Sequence, residues 1–119
     1  MLFRSGTTPS SDRGAVVLLA QIVAVVGGVV LARVGRHREA KRVLERACAV
    51  AERCGDNDGA ARAIITEIEE MCEQLEEDEG VELIERLSKL LSDSQQVSTL
   101  RRFAKCRARI AAVHATEKA

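Results

Sequence analysis

Residues 36–75 read RHREAKRVLERACAVAERCGDNDGAARAIITEIEEMCEQL, and the spacing of their apolar side chains decides the class of fold. Ala40, Val43, Leu44, Ala47, Val50, Ala51 and Cys54 recur every three or four residues, and so do Ala61, Ile64, Ile65, Ile68, Met71, Cys72 and Leu75. That is the stripe of an amphipathic α-helix, written twice. Between the stripes Gly55 supplies a helix stop, and Asp56, Asn57 and Asp58 supply oxygens to cap the next start. A helical hairpin is the result.

The same logic extends in both directions. After the acidic run Glu76–Glu79, Gly80 is expected to open a shorter helix with Val81, Ile84, Leu87 and Leu91 inward, stopped by Ser92-Asp93-Ser94. A last helix, 97–116, is expected to turn Leu100, Phe103, Ala104, Ile110 and Ala111 inward. Upstream, residues 15–32 read AVVLLAQIVAVVGGVVLA, with no charge and Gln21 as the one strongly polar side chain, and Gly35 follows at a C-cap position. Residues 1–14 (MLFRSGTTPSSDRG) have no hydrophobic period and are expected to be a disordered tail, a composition that a targeting leader also tolerates. The expected architecture is all-α, about five helices in antiparallel hairpins: 15–55, 56–93 and a capping helix 97–116, in one domain.

Composition agrees. Pro9 is the only proline, Trp and Tyr are absent, and the aromatic residues are Phe3 and Phe103, so a core has to be built from small and aliphatic side chains, as helix-on-helix packing allows. The 18 basic and 18 acidic residues cancel, but 33–53 and 101–109 are net basic and 56–79 is strongly acidic. Cys48, Cys54, Cys72 and Cys106 lack the close pairing of zinc or redox sites and fit reduced thiols in a cytosol-like compartment.

Chemistry-bearing constellations are missing. His37 and His114 stand far apart and away from the cysteines, no glycine-rich loop follows a strand, and no nucleophile is set beside a base. The sequence therefore predicts no catalytic, cofactor-binding or metal-ligating residues. The cluster Glu67, Glu69, Glu70, Glu73 and Glu76–Glu79 is expected to be a solvated helix face. Arg101, Lys105 and Arg109 form a cationic stripe, yet neutrality of the whole chain and the lack of stacking aromatics disfavour nucleic acid.

The segment AQIVAVVGGVVLARVGRHREAKRVLERACAVAERCGD, residues 20–56, resembles one tetratricopeptide repeat: Gly28, Leu31, Gly35, Ala40, Leu44 and Ala47 fall on that family's spacing, and GDNDGAARAI (55–64) is similar to the junction between repeats. Small residues at Gly28, Ala40 and Ala47 suit close helix approach. Ala24 and Gly27 depart from the family, which carries large side chains there. The resemblance implies an α-solenoid fragment and a noncatalytic adaptor, assembly factor or chaperone holding a hydrophobic or amphipathic helix of a partner protein. Val17, Leu18, Gln21, Val25 and Leu31 would make the contact, rimmed by Arg36, Arg38 and Arg42; self-association is open.

A second reading stands beside it. An apolar run of this length is just long enough to span a bilayer, and Arg33, Arg36, Arg38, Lys41 and Arg42 would keep the C-terminal part on the cytosolic side. The chain would then be a small membrane-anchored subunit of a larger complex. Against this, Gly27-Gly28 weakens an isolated helix and no Trp or Tyr marks either interface. A cytoplasmic protein with a partner-covered helix is the first expectation.

Overall fold

The computed structural model describes residues 9–118. Among them five α-helices, α1 (Pro9–Arg33), α2 (His37–Arg53), α3 (Asn57–Met71), α4 (Glu77–Leu90) and α5 (Val97–Lys118), follow one another, with a single 3₁₀ turn, Cys72–Gln74, between α3 and α4. The fold is all-α, as the periodicity predicts.

The stops at the ends of α1 and α2 are the same device used twice. Gly35 and Gly55 take positive φ, 89° and 76°. Behind each, the amide of the following residue reaches back five positions, Arg36 N–H to Leu31 O at 2.8 Å and Asp56 N–H to Ala51 O at 2.9 Å. This closes the carbonyl ends of the helices and turns the chain sharply. The Asp56 carboxylate then accepts the Gly59 amide at 2.8 Å and starts α3.

Helix α3 is the centre of the molecule. It touches α1, α2, α4 and α5, and ten of its residues are buried, among them Ala61, Ile64, Ile65, Ile68 and Met71. The principal core joins Ala47, Cys48 and Ala51 of α2 to Leu83, Leu87 and Leu91 in and after α4 and to Phe103, Cys106 and Ile110 of α5. A smaller cluster, Ala32, Ala40, Leu44 and Met71, fastens the C-terminal half of α1 to the rest.

Several details differ from expectation. Residues 9–14 are helical rather than part of a tail, because Pro9 has the φ that a first helical turn requires and lacks only an amide that would go unpaired there; residues 1–8 lie outside the described residues. Helix α4 begins at Glu77, not Gly80: carboxylates favour a helix N-terminus, and Glu79 turns back to accept the Glu76 amide at 3.3 Å. Leu87 and Leu91 face inward as expected and Ile84 packs partly against the core, but Leu83 is buried in place of Val81, which is exposed. On α5, Ala104 and Ala111 face out, while Cys106 and His114 face in. Cys48, Cys72 and Cys106 are buried free thiols and Cys54 is exposed.

Candidate helix-docking site

Helix α1 is unlike the other four. Between Gly14 and Ala32 it is apolar around its circumference except at Gln21, yet only one narrow face is covered. At about 1.5 Å per residue its 25 residues run roughly 37 Å, and the neighbouring helices cover it on that face alone. Gly28 makes a close approach: a Cβ built there would lie 2.6 Å from Cγ and Cδ2 of Leu44, so a larger residue forces the buried Leu44 side chain to shift. About two helical turns earlier, the buried Gln21 side-chain amide donates to the Ala47 carbonyl at 2.8 Å. An apolar side chain would leave no polar link at this level.

At the far end Arg33 makes a two-pronged pair with Glu70 of α3, Nε to Oε1 at 3.0 Å and Nη2 to Oε2 at 3.1 Å. That hydrogen bonding holds the Glu70 carboxyl below its ordinary range and raises the Arg33 guanidinium further. Helix α1 is thus located by a glycine contact, a buried amide and an ion pair. All three lie on the side facing α2 and α3.

Two grooves flank the covered face. The larger, about 750 Å³, lies between α1 and α2, with Val17, Ala20 and Ala24 on one wall and Val43, Ala47 and Val50 on the other; Glu39, Arg42 and Arg46 stand at its rim. The smaller, about 320 Å³, lies on the other flank, between Ile22, Val26 and Val29 of α1 and Arg62, Glu69 and Arg102. Arg102 there is held by Glu69 in a two-pronged pair at 2.7 and 3.0 Å. Both grooves have apolar floors and charged edges, the form of a surface that accepts a side-chain-rich helix.

The residues expected from sequence separate into three groups. Val17, Leu31 and Arg42 line the larger groove and Leu18 the smaller; Arg38 is exposed, and Arg36 is exposed but engaged with Glu39 at 2.6 and 2.8 Å. Gln21 lines both grooves but is mostly buried and bonded within the chain, where it positions α1. Val25 is likewise partly spent on the chain's own core. Of the small and capping residues, Ala40, Leu44 and Ala47 are buried, Gly28 makes the close approach, and Gly35 serves as the left-handed cap. What periodicity missed is how much of the helix stays bare: Val16, Leu19, Ile22, Val23, Val26 and Val30 are each more than half exposed, as is the expected Leu18. In a run where every position is apolar, no contrast with polar neighbours marks a face.

The expected solvated acidic face is also corrected: Glu69, Glu70 and Glu79 are half-buried and paired with Arg102, Arg33 and Lys41, and Glu67 is buried. Glu67 is 2% exposed and its Oε2 has no hydrogen-bond partner. Burial first, and then the neighbouring Glu45, push its carboxyl up to about 7, while Lys41 and Arg86 pull the other way. Lys41 is already paired with Glu79, and Arg86 with Glu52. Burial also raises the Cys48 thiol to about 11 and the Cys106 thiol to about 12, which keeps both protonated at neutral pH. Among the described residues no group of His, Cys, Asp and Glu is arranged to hold a metal ion. The chain matches no family model, no curated protein and no solved structure.

Proposed function

We propose that this chain is a noncatalytic protein-interaction module, an adaptor, assembly factor or chaperone of the cytosol, that holds a hydrophobic or amphipathic helix of a protein partner along α1. The observation that supports it is a rigidly located helix whose outward face is apolar and bare, with Leu19, Val23 and Val26 each exposing more than half of their surface. The tetratricopeptide-like register belongs to the same reading: Gly28 against Leu44 is the close hairpin contact that such a repeat requires.

Arg13–Arg33 is long and apolar enough to cross a membrane, and this favours a second reading, a membrane-anchored subunit with the remaining helices cytosolic. The position of α2 weighs against it. The Gln21 to Ala47 hydrogen bond sets α2 beside the middle of that stretch, and Glu45, Arg42 and Arg46 around Ala47 are exposed. A bilayer around α1 would take those charges into hydrocarbon, at about 2.5–3.5 kcal/mol each even on the lenient scale. Insertion therefore requires α1 to leave α2 and α3.

Fractionation of cells making the full chain separates the two. A carbonate-soluble protein that brings a partner through purification, and loses it on Val23→Lys, is the expected result; retention in carbonate-extracted membranes refutes the docking function.

A further inference from the structure

Two grooves run beside α1, and the larger one has charge to spare. In the smaller, Arg33 and Arg102 are each held by a carboxylate of α3 in a two-pronged pair, Arg33 by Glu70 and Arg102 by Glu69. In the larger, Glu39 is taken up by Arg36. Its two exposed arginines, Arg42 and Arg46, make no side-chain ion pair or hydrogen bond among the described residues. They stand four residues apart, about 6 Å along α2. Arg38, also exposed and unpaired among the described residues, continues the same edge one turn earlier. The facing wall on α1 carries no charge anywhere from Gly14 to Ala32. Between the walls Ala20, Ala24 and Ala47 are short, which keeps the trough open.

We infer that the larger groove takes an acidic amphipathic helix of a partner protein, one whose apolar stripe is bordered on the α2 side by carboxylates four residues apart. The inference rests on the function proposed above and names the chemistry of the partner. Charge complementarity carries it. Arginines repeating at a helical rise along one edge match carboxylates repeating at the same rise on a helix laid alongside, while the uncharged α1 wall asks only for apolar contact. A ligand with a single anionic head would need its cations gathered at one end of the trough, and here they are spread along its edge. The trough follows α1 from Val16 to Leu31, about 22 Å or four helical turns. The chain offers no acidic segment of its own from outside the described residues at its N-terminus, since residues 1–8 contain Arg4 and no acid.

Fluorescence anisotropy of the full-length chain with two labelled synthetic helices tests the inference. Both probes are about 18 residues long and share one leucine stripe, bordered by glutamate in the first and by lysine in the second. At low salt the glutamate helix should bind roughly tenfold tighter, two exposed attractions replacing two repulsions, and the preference should shrink at about 1 M salt. Arg42→Glu/Arg46→Glu should reverse the preference, whereas Arg101→Glu on α5 should leave it unchanged. Ala20→Phe, which fills the trough, should weaken both helices. Should the charge reversal unfold the chain, Arg42→Gln/Arg46→Gln should bring the two affinities together. Equal wild-type affinities, or no binding of either helix, overturn the acidic partner. Binding to phosphatidylglycerol vesicles in place of the glutamate helix, abolished by Arg42→Glu/Arg46→Glu, overturns it in favour of lipid. If the acidic partner falls and the full chain still carries a foreign protein released by Val23→Lys, the docking function survives; retention in carbonate-extracted membranes overturns both.

Discussion

Glu67 makes the fold sensitive to pH in a direction opposite to most carboxylates. In the unfolded chain its carboxyl titrates near 4.5; in the native protein burial and the nearby Glu45 push it up to about 7. Between those values the native state holds a proton that the unfolded state has released. Stability then falls as pH rises, because its derivative follows the protons bound by the unfolded chain minus those bound by the native one. Below 4.5 both states are protonated and Glu67 costs nothing through ionisation; above 7 the whole penalty is present. At 1.36 kcal/mol per pH unit the separation amounts to about 3 kcal/mol.

Glu67→Gln keeps the shape of the side chain and removes the titration. The informative quantity is the difference between the wild-type and variant stabilities across pH, since Glu70, whose carboxyl lies below its ordinary range, and other shared groups cancel. Urea unfolding followed by circular dichroism from about pH 4 to 8 should show the wild type losing about 3 kcal/mol relative to the Glu67→Gln variant, a midpoint shift of roughly 1–3 M at the m-values usual for small domains. A difference that stays flat across this range, or that rises with pH, refutes the burial of an unpartnered Glu67.

Other expectations rest on the same geometry. Gly28→Ala should destabilise by about 1–2 kcal/mol, overpacking against Leu44 exceeding the gain in helix propensity, whereas Gly27→Ala, where a Cβ meets open space, should stabilise by up to about 1 kcal/mol. Thermal unfolding of the two single variants compares them directly, and equal midpoints would contradict the close approach. Gly35→Ala and Gly55→Ala should each cost about 1–2 kcal/mol, because both caps need positive φ; urea midpoints report it. Under native conditions near neutral pH, a chromogenic disulfide reagent should modify Cys54 alone, and all four thiols should react in denaturant. Fast native reaction at Cys48 or Cys106 would contradict their burial.

Contrast decided what was legible in the sequence. The hairpin of α2 and α3 is readable because Ala40, Leu44, Ala47 and Ile64, Ile65, Ile68 stand out against charged neighbours, and all six are buried. Gly35 and Gly55 are readable because few residues other than glycine take positive φ. Helix α5 is less so: alanine dilutes its stripe, and a small error of phase exchanges Ala104 and Ala111 for Cys106 and His114. Glu67 sits within a run of acids, and only the position of α2 and α4 over α3 distinguishes it from Glu69 and Glu70. Helix α1 has the opposite defect, since every position is apolar and no face is marked.

Two solvents compete for α1. Lipid would satisfy its whole circumference but not the helix beside it, since the contact at Gly28 that fits α1 to α2 also brings Arg42, Glu45 and Arg46 alongside. Water satisfies α2 and leaves the outer valines bare. A second helix against those valines meets both demands at once, covering apolar surface on one side while α2 keeps its charges in water on the other. The Gln21 bond and the Arg33–Glu70 pair matter for that reason beyond their own strength: they fix the rotation of α1, and the rotation decides which residues remain to be covered. Together with the close approach of Gly28 to Leu44 and the burial of Ala32, they turn one face of an otherwise apolar helix inward and leave the outer valines bare.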